Sequence, residues 1–115
     1  MAWEVEASDE FEGWYLSLDE DESESVDAVV DMLVDYGPTL GRPFADTLKG
    51  SRIPNLKELR VQHQGRPLRI LFAFDPRRCG YLILGGDKTG DKMWYVDAIR
   101  RAEAIYAIHL REVET

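Results

Sequence analysis

Residues 56–84 read LKELRVQHQGRPLRILFAFDPRRCGYLIL, and the rhythm of this stretch decides the fold. Leu56–His63 alternates apolar and polar residues, Leu68–Phe74 is nearly continuous in apolar ones, and Gly80–Leu84 is short and apolar. Period-two alternation marks a strand with one buried face. Between the runs, Gln64-Gly65-Arg66-Pro67 and Asp75-Pro76-Arg77-Arg78 supply the Gly, Pro and Asp that hairpin turns use. The stretch therefore predicts a three-stranded antiparallel meander.

Working outward, Pro38 to Asn55 is rich in Gly, Pro, Thr, Ser and Arg without periodicity, which predicts a loop or irregular arm. Before it, Val26, Val29, Val30, Leu33 and Val34 share one face of a helix that Gly37-Pro38 ends. Phe11, Trp14, Tyr15 and Leu18 form a second helical stripe, capped by Ser8. Ala2-Trp3-Glu4-Val5-Glu6 alternates as a short strand does. Beyond the meander, a last helix runs from about Trp94 to Leu110, with Ala98, Ile99, Ala102, Ile105 and Tyr106 on its inner face. The predicted order is β-α-α-β-β-β-α. It describes one α+β two-layer domain over residues 1–115, an antiparallel sheet with helices packed on one face.

Strand parity then distributes the charges. If Leu59 and Val61 pack under the helices, Glu58, Arg60 and Gln62 point to an open face; with Leu68, Ile70, Phe72 and Phe74 inward, Arg69, Leu71 and Ala73 point out. Arg60 and Arg69 thus fall on the same open face of adjacent strands. Two like charges side by side destabilise a sheet unless something negative lies between them. Either Glu58 is that counter-charge, or the pair binds an anion, for which an arginine fork suits phosphate oxygens.

The formal net charge of −8 argues against a polyanionic partner, but the average conceals a segregation. Residues 1–41 hold thirteen acidic residues and no Lys or Arg. Residues 42–111 hold all fourteen basic residues against seven acidic ones, a net +7. This asymmetry points to a polyanion site on one surface. The lone Cys79 excludes an internal disulfide and a multi-cysteine zinc site. No apolar run reaches the roughly 18 residues of a membrane span, and the acidic N-terminus is unlike a signal peptide, so a cytoplasmic protein without membrane contact is expected.

The segment Gly85-Gly86-Asp87-Lys88-Thr89-Gly90-Asp91-Lys92 lacks the G-x-x-x-x-G-K-[ST] pattern of a nucleotide loop and reads as a flexible turn that brings Lys88 and Lys92 beside the sheet. Asp87 is placed to tune a neighbouring cation, and Tyr95 to reach the same mouth. Trp94 reads as a core anchor. His63 either acts as acid or base, with an unperturbed pKa of about 6.5, or caps the core edge, since it shares the parity of Leu59 and Val61. His109, late in the last helix, reads as structural. Neither histidine has partners at metal-ligand spacing, so no metal and no other cofactor is expected.

Leu56-Lys57-Glu58-Leu59-Arg60, followed by Arg69-Ile70-Leu71-Phe72-Ala73-Phe74 and by Gly86-Asp87-Lys88 before an amphipathic helix, resembles the phage-derived Gp49-like, HigB-type toxins of the RelE/ParE superfamily. The resemblance covers nearly the whole chain; its motifs are specific in their order and spacing rather than singly. It implies a RelE-like fold and a ribosome-associated, metal-independent endoribonuclease that cuts mRNA and arrests growth. The partner it implies is a cognate helix-turn-helix antitoxin, HigA-like. The alternative is a non-cleaving relative, a ParE-like gyrase poison or a degenerate toxin that only pairs with its antitoxin. Carried over by position, Arg60 and Arg69 match the arginines of the family's sheet face, and Lys88 the lysine after its third strand. Attack of a 2′-hydroxyl on the adjacent phosphate needs a base, cations for the phosphorane and an acid. The resemblance offers Lys88 or Asp87 as base and Tyr95 or His63 as acid. Lys57, Arg66, Arg77, Arg78 and Lys92 are the further cations open to RNA. The acidic N-terminal half and the GGDKTGD segment depart from the family pattern.

Overall fold

The computed structural model describes residues 2–114. Its first strand, β1 (Val5–Ala7), ends at Ser8, whose Oγ accepts from the Phe11 amide at 2.9 Å and so caps α1 (Asp9–Leu16). Asp19 and Glu22 cap α2 (Glu20–Tyr36) reciprocally, each side chain accepting from the other's amide at 2.8 Å. After a 3-10 turn over Gly37–Thr39 come β2 (Ala45–Thr47), β3 (Lys57–His63), β4 (Arg66–Phe74), β5 (Gly80–Asp87) and α3 (Trp94–Val113).

The meander forms as expected: β3 and β4 pair antiparallel from Lys57↔Phe72 to His63↔Arg66, and β4 pairs antiparallel with β5. Two features alter the expected sheet. The arm contributes β2, which pairs antiparallel with β3 through Ala45↔Leu59. At the other edge β1 lies parallel to β5, with Val5 opposite Gly80, so the five-stranded sheet β1-β5-β4-β3-β2 is mixed rather than wholly antiparallel. Chain direction explains the second change, because α1, α2 and three strands intervene between β1 and β5 and return the chain in the same sense.

The expectation that all helices share one face is corrected. Phe11, Val26, Val29 and Leu33 of α1 and α2 cover Leu59, Val61, Leu68, Ile70 and Phe72 on one side. Ala98, Ala102 and Tyr106 of α3 cover Leu71, Ala73, Tyr81 and Ile83 on the other. Leu71 and Ala73, expected outward, are therefore buried. The reason is the near-continuous apolar run of β4, which asks for cover on both faces. A bulge at Leu71/Phe72 leaves Leu82 and Leu84 opposite them, so both Ile83 and Leu84 join the α3 side.

β5 also runs three residues further than the apolar run suggested, so Gly85 and Gly86 are strand residues rather than a flexible turn. Each lies under an indole, on opposite faces of the sheet. A Cβ on Gly85 would drive into the Trp14 ring, and one on Gly86 would sit 2.9 Å from Trp94 Nε1. Gly85→Ala is expected to destabilise the fold by about 1–3 kcal/mol, the usual range for overpacking, read as a lowered midpoint in urea.

The far end of α3 is held to the β4–β5 turn by Asp75, whose side chain is fully buried. Its Oδ2 accepts from Arg77 at 2.6 Å and lies 2.9 Å from His109 Nε2; Oδ1 accepts from the Arg77 amide at 2.9 Å and the Cys79 amide at 3.3 Å. His109 stacks on Tyr81 with centroids 3.5 Å apart, which agrees with its structural reading. Burial pushes the Asp75 pKa up, but the bonds from Arg77, His109 and the Cys79 amide outweigh it and hold the carboxyl below its ordinary value.

Candidate active site

Arg60 on β3 and Arg69 on β4 are directly opposite in register. Their parity sends both to the α3 side of the sheet, beside the helix's first turn. Glu58, two residues before Arg60, shares that parity and is buried. Its Oε2 accepts from Arg60 Nε at 3.1 Å, and its Oε1 lies 3.4 Å from Arg69 Nε. Tyr95, in the first turn of α3, donates its hydroxyl to the same Oε1 at 2.5 Å and accepts from Arg69 Nε at 3.2 Å. Lys88, just past β5, holds its Nζ 5.5 Å from the centre of the Tyr95 ring.

A second carboxylate comes from the arm. Asp46 on β2 accepts from Arg60 Nη2 at 3.2 Å and from Arg42 Nε at 2.9 Å. The bond from Thr47's amide, with Arg42 beside it, holds the Asp46 carboxyl below its ordinary pKa. Burial first, then the bond to Glu58, push the Tyr95 phenol up, so it keeps its proton at neutral pH. A cleft of about 510 Å³ opens at the β3 edge beside the arginines, lined by Phe44, Arg60, Gln62 and Arg69 and, from α2, by Ser25, Ala28 and Val29. The cluster thus offers two guanidiniums sharing Glu58, one of them also held by Asp46, with a protonated phenol and a lysine at the rim. Such a set can bind a phosphate and donate one proton to it.

Of the residues singled out in the sequence, the structure brings together Arg60, Arg69, Tyr95 and Lys88. It sends Asp87 and His63 to the opposite face. Asp87 Oδ2 accepts from Arg66 Nη1 at 3.3 Å and its Oδ1 from the Thr89 amide at 2.9 Å, while Arg66 also pairs with Glu22 of α2. Burial raises the Asp87 pKa, but the Thr89 bonds and Arg66 outweigh it, so this carboxyl stays below its ordinary range. His63 is buried with Nδ1 2.7 Å from Ser25 Oγ, the core-edge reading of this residue. Lys57 has the parity of Leu59 and faces α2. Arg77 is occupied at the other end of the sheet by Asp75 and Glu6, Arg78 is exposed in the same turn, and Lys92 is exposed in the loop before α3.

Sequence reasoning weighed Glu58 only as a counter-charge; its parity, shared with both arginines, was the available signal that it belongs to the cluster. Asp46 and Arg42 carried no such signal, because they lie in the arm that lacks periodicity. Among the described residues no group of three or more His, Cys, Asp or Glu is placed to hold a metal, and no helix is long and apolar enough to cross a membrane.

Comparison with known proteins agrees with this architecture. The family model of phage-derived Gp49-like proteins matches residues 13–107. Two proteins of Mycobacterium tuberculosis (strain ATCC 25618 / H37Rv) are similar over most of the chain. The candidate toxin HigB2 is 44% identical over 88% of this chain and 51% of its own length. The candidate toxin HigB3 is 47% identical over 80% of each. The chain thus spans about half of HigB2 but most of HigB3. Among solved structures, a double mutant of the E. coli toxin RelE in the free state superposes with a TM-score of 0.61 at 13% identity, covering 88% of this chain and 98% of that one, which is a likeness of fold. The chain belongs to the family of phage-derived Gp49-like proteins, alongside its HigB-named relatives.

Proposed function

We propose that this chain is the toxin of a type II toxin–antitoxin pair, a cytoplasmic, metal-independent endoribonuclease that cuts mRNA on the ribosome and is silenced by a helix-turn-helix, HigA-like antitoxin. The observation that carries this reading is the convergence of Arg60, Arg69 and the Tyr95 hydroxyl on one buried carboxylate, all within 3.4 Å of Glu58. Bound there, a scissile phosphate replaces Glu58 as a ligand of the guanidiniums. The 2′-oxygen forms a bond to phosphorus as its proton leaves, and the P–O5′ bond breaks as the 5′-oxygen gains a proton. Arg60 and Arg69 stabilise the phosphorane charge, because guanidinium remains protonated throughout. With Asp87 and His63 on the other face, the proton transfers fall to Lys88 at the 2′-hydroxyl and to Tyr95 at the leaving oxygen. Before the phosphate arrives, Glu58 keeps the phenol and both guanidiniums in register.

The test is Tyr95→Phe, which removes one oxygen. Cleavage of ribosome-bound mRNA in single turnover is expected to fall by about 10²-fold or more, with thermal unfolding little changed. Unchanged cleavage would remove Tyr95 from the chemistry. Intact transcripts in cells arrested by the unaltered chain would refute the endonuclease reading, and broken DNA in those cells would favour the ParE-like alternative.

A further inference from the structure

Five of the ten arginines are held by carboxylates of the same chain, Arg42 by Asp46 among them. Arg60 is held by Glu58 and Asp46, Arg66 by Glu22 and Asp87, Arg69 by Glu58, and Arg77 by Asp75 and Glu6. Three cations that are not ion-paired among the described residues, Lys49, Arg52 and Arg100, line one groove of about 1020 Å³ between the 49–54 loop and the outer side of α3. Tyr95 stands at its end, so the groove and the arginine cluster share this one residue. Val96, Ile99, Ile53 and Pro54 give it an apolar lining, and Val96 is about half exposed.

One carboxylate, Glu103, also lines the groove, and its role is internal. Its Oε2 accepts from the Arg52 amide at 2.6 Å and from Ser51 Oγ at 3.1 Å, which pins the loop to α3. These bonds, the Arg52 amide foremost, hold its pKa below the ordinary value. The groove therefore presents three cations outside any ion pair above an apolar floor, with the Glu103 charge within electrostatic reach of Arg52 and Arg100, in a chain whose net charge is −8.

We infer that this groove binds the stretch of single-stranded RNA that flanks the scissile phosphate, with Lys49, Arg52 and Arg100 on its phosphates and its bases against the apolar floor. This rests on the reading of the cluster as an RNA-cutting site. Cations tracking the backbone beside surfaces that receive base faces are the means by which single strands are held without sequence readout. The groove follows α3 from Tyr95 towards Leu110, about 22 Å of helix, which is room for several nucleotides beyond the cluster. The shared Tyr95 favours RNA over an acidic polypeptide, because one strand then occupies cluster and groove together.

The experiment measures binding of a fluorescein-labelled single-stranded twelve-nucleotide RNA by anisotropy across a salt series, for the full chain and for a Lys49→Glu, Arg100→Glu double variant. Both positions are exposed and outside the cluster, and the variant's thermal unfolding is compared alongside. The variant is expected to bind at least tenfold more weakly, with a salt slope shallower by about 1.4, two phosphate contacts at about 0.7 each. Equal affinity and slope in a folded variant overturns the inference. So does an unaltered chain that fails to bind the RNA, or that binds a polyglutamate peptide in its place. Cleavage of ribosome-bound mRNA is measured with the same proteins. Lost RNA binding in the variant, with transcripts never cut by either protein, leaves the groove standing and overturns the endonuclease reading instead.

Discussion

Arg69→Ala is expected to relieve growth arrest when the chain is expressed without its antitoxin, and to lower single-turnover cleavage of ribosome-bound mRNA by about 10²–10³-fold. Arg69 is the guanidinium the fold aims most tightly: Nε bonds the Tyr95 hydroxyl, and Nη1 donates to the Leu68 carbonyl at 3.0 Å. Removing it also loosens Tyr95, so the charge and the proton donor of the proposed mechanism are weakened together. Glu58 retains Arg60 and Tyr95 as partners, which keeps the buried carboxylate satisfied and the fold intact. Arg69→Lys is expected to recover only part of the rate, because an ammonium cannot hold tyrosine and phosphate in a planar fork. Growth arrest persisting in Arg69→Ala, at equal protein level, would exclude Arg69 from the chemistry.

The second large effect concerns stability. Asp75→Ala is expected to destabilise the fold by about 3–5 kcal/mol, because it strips buried His109 and two backbone amides of their acceptor and leaves Arg77 with Glu6 alone. The pH dependence carries a further signature. The Asp75 pKa is depressed in the folded state, so its contribution is fully present above the unfolded value of about 3.9 and is lost as pH falls through the lower folded value. Urea unfolding between pH 2 and pH 6 is expected to show a steeper acid limb in the unaltered chain than in Asp75→Ala. Parallel limbs would show that Asp75 is not coupled to folding in this way.

These expectations differ in how far the sequence alone reaches them. The pairing of Arg60 with Arg69 is legible, since the alternation of Leu59, Val61, Ile70 and Phe72 assigns both arginines to the other face. The covering of that face by α3 is also written in the chain, in the unbroken run from Leu68 to Phe74, but alternation read strand by strand hides it. β2 is out of reach because three residues show no period, and its pairing depends on where β3 offers a free edge. Asp87 illustrates a third limit: the strand carries on through Gly85 and Gly86, and its parity takes the carboxylate away from Lys88's side. Contacts such as Glu103 with Ser51, 52 residues apart, follow only from the packed helix.

The parallel pairing of β1 with β5 has a consequence for synthesis. Val5 must find Gly80, and the Gly80 amide donates to the Glu4 carbonyl at 2.9 Å, so β1 waits for β5 before it can pair. Closing so long a loop is slow compared with forming α1 and α2, which are local. The emerging acidic helices therefore precede the sheet they cover, and Tyr95 follows every strand.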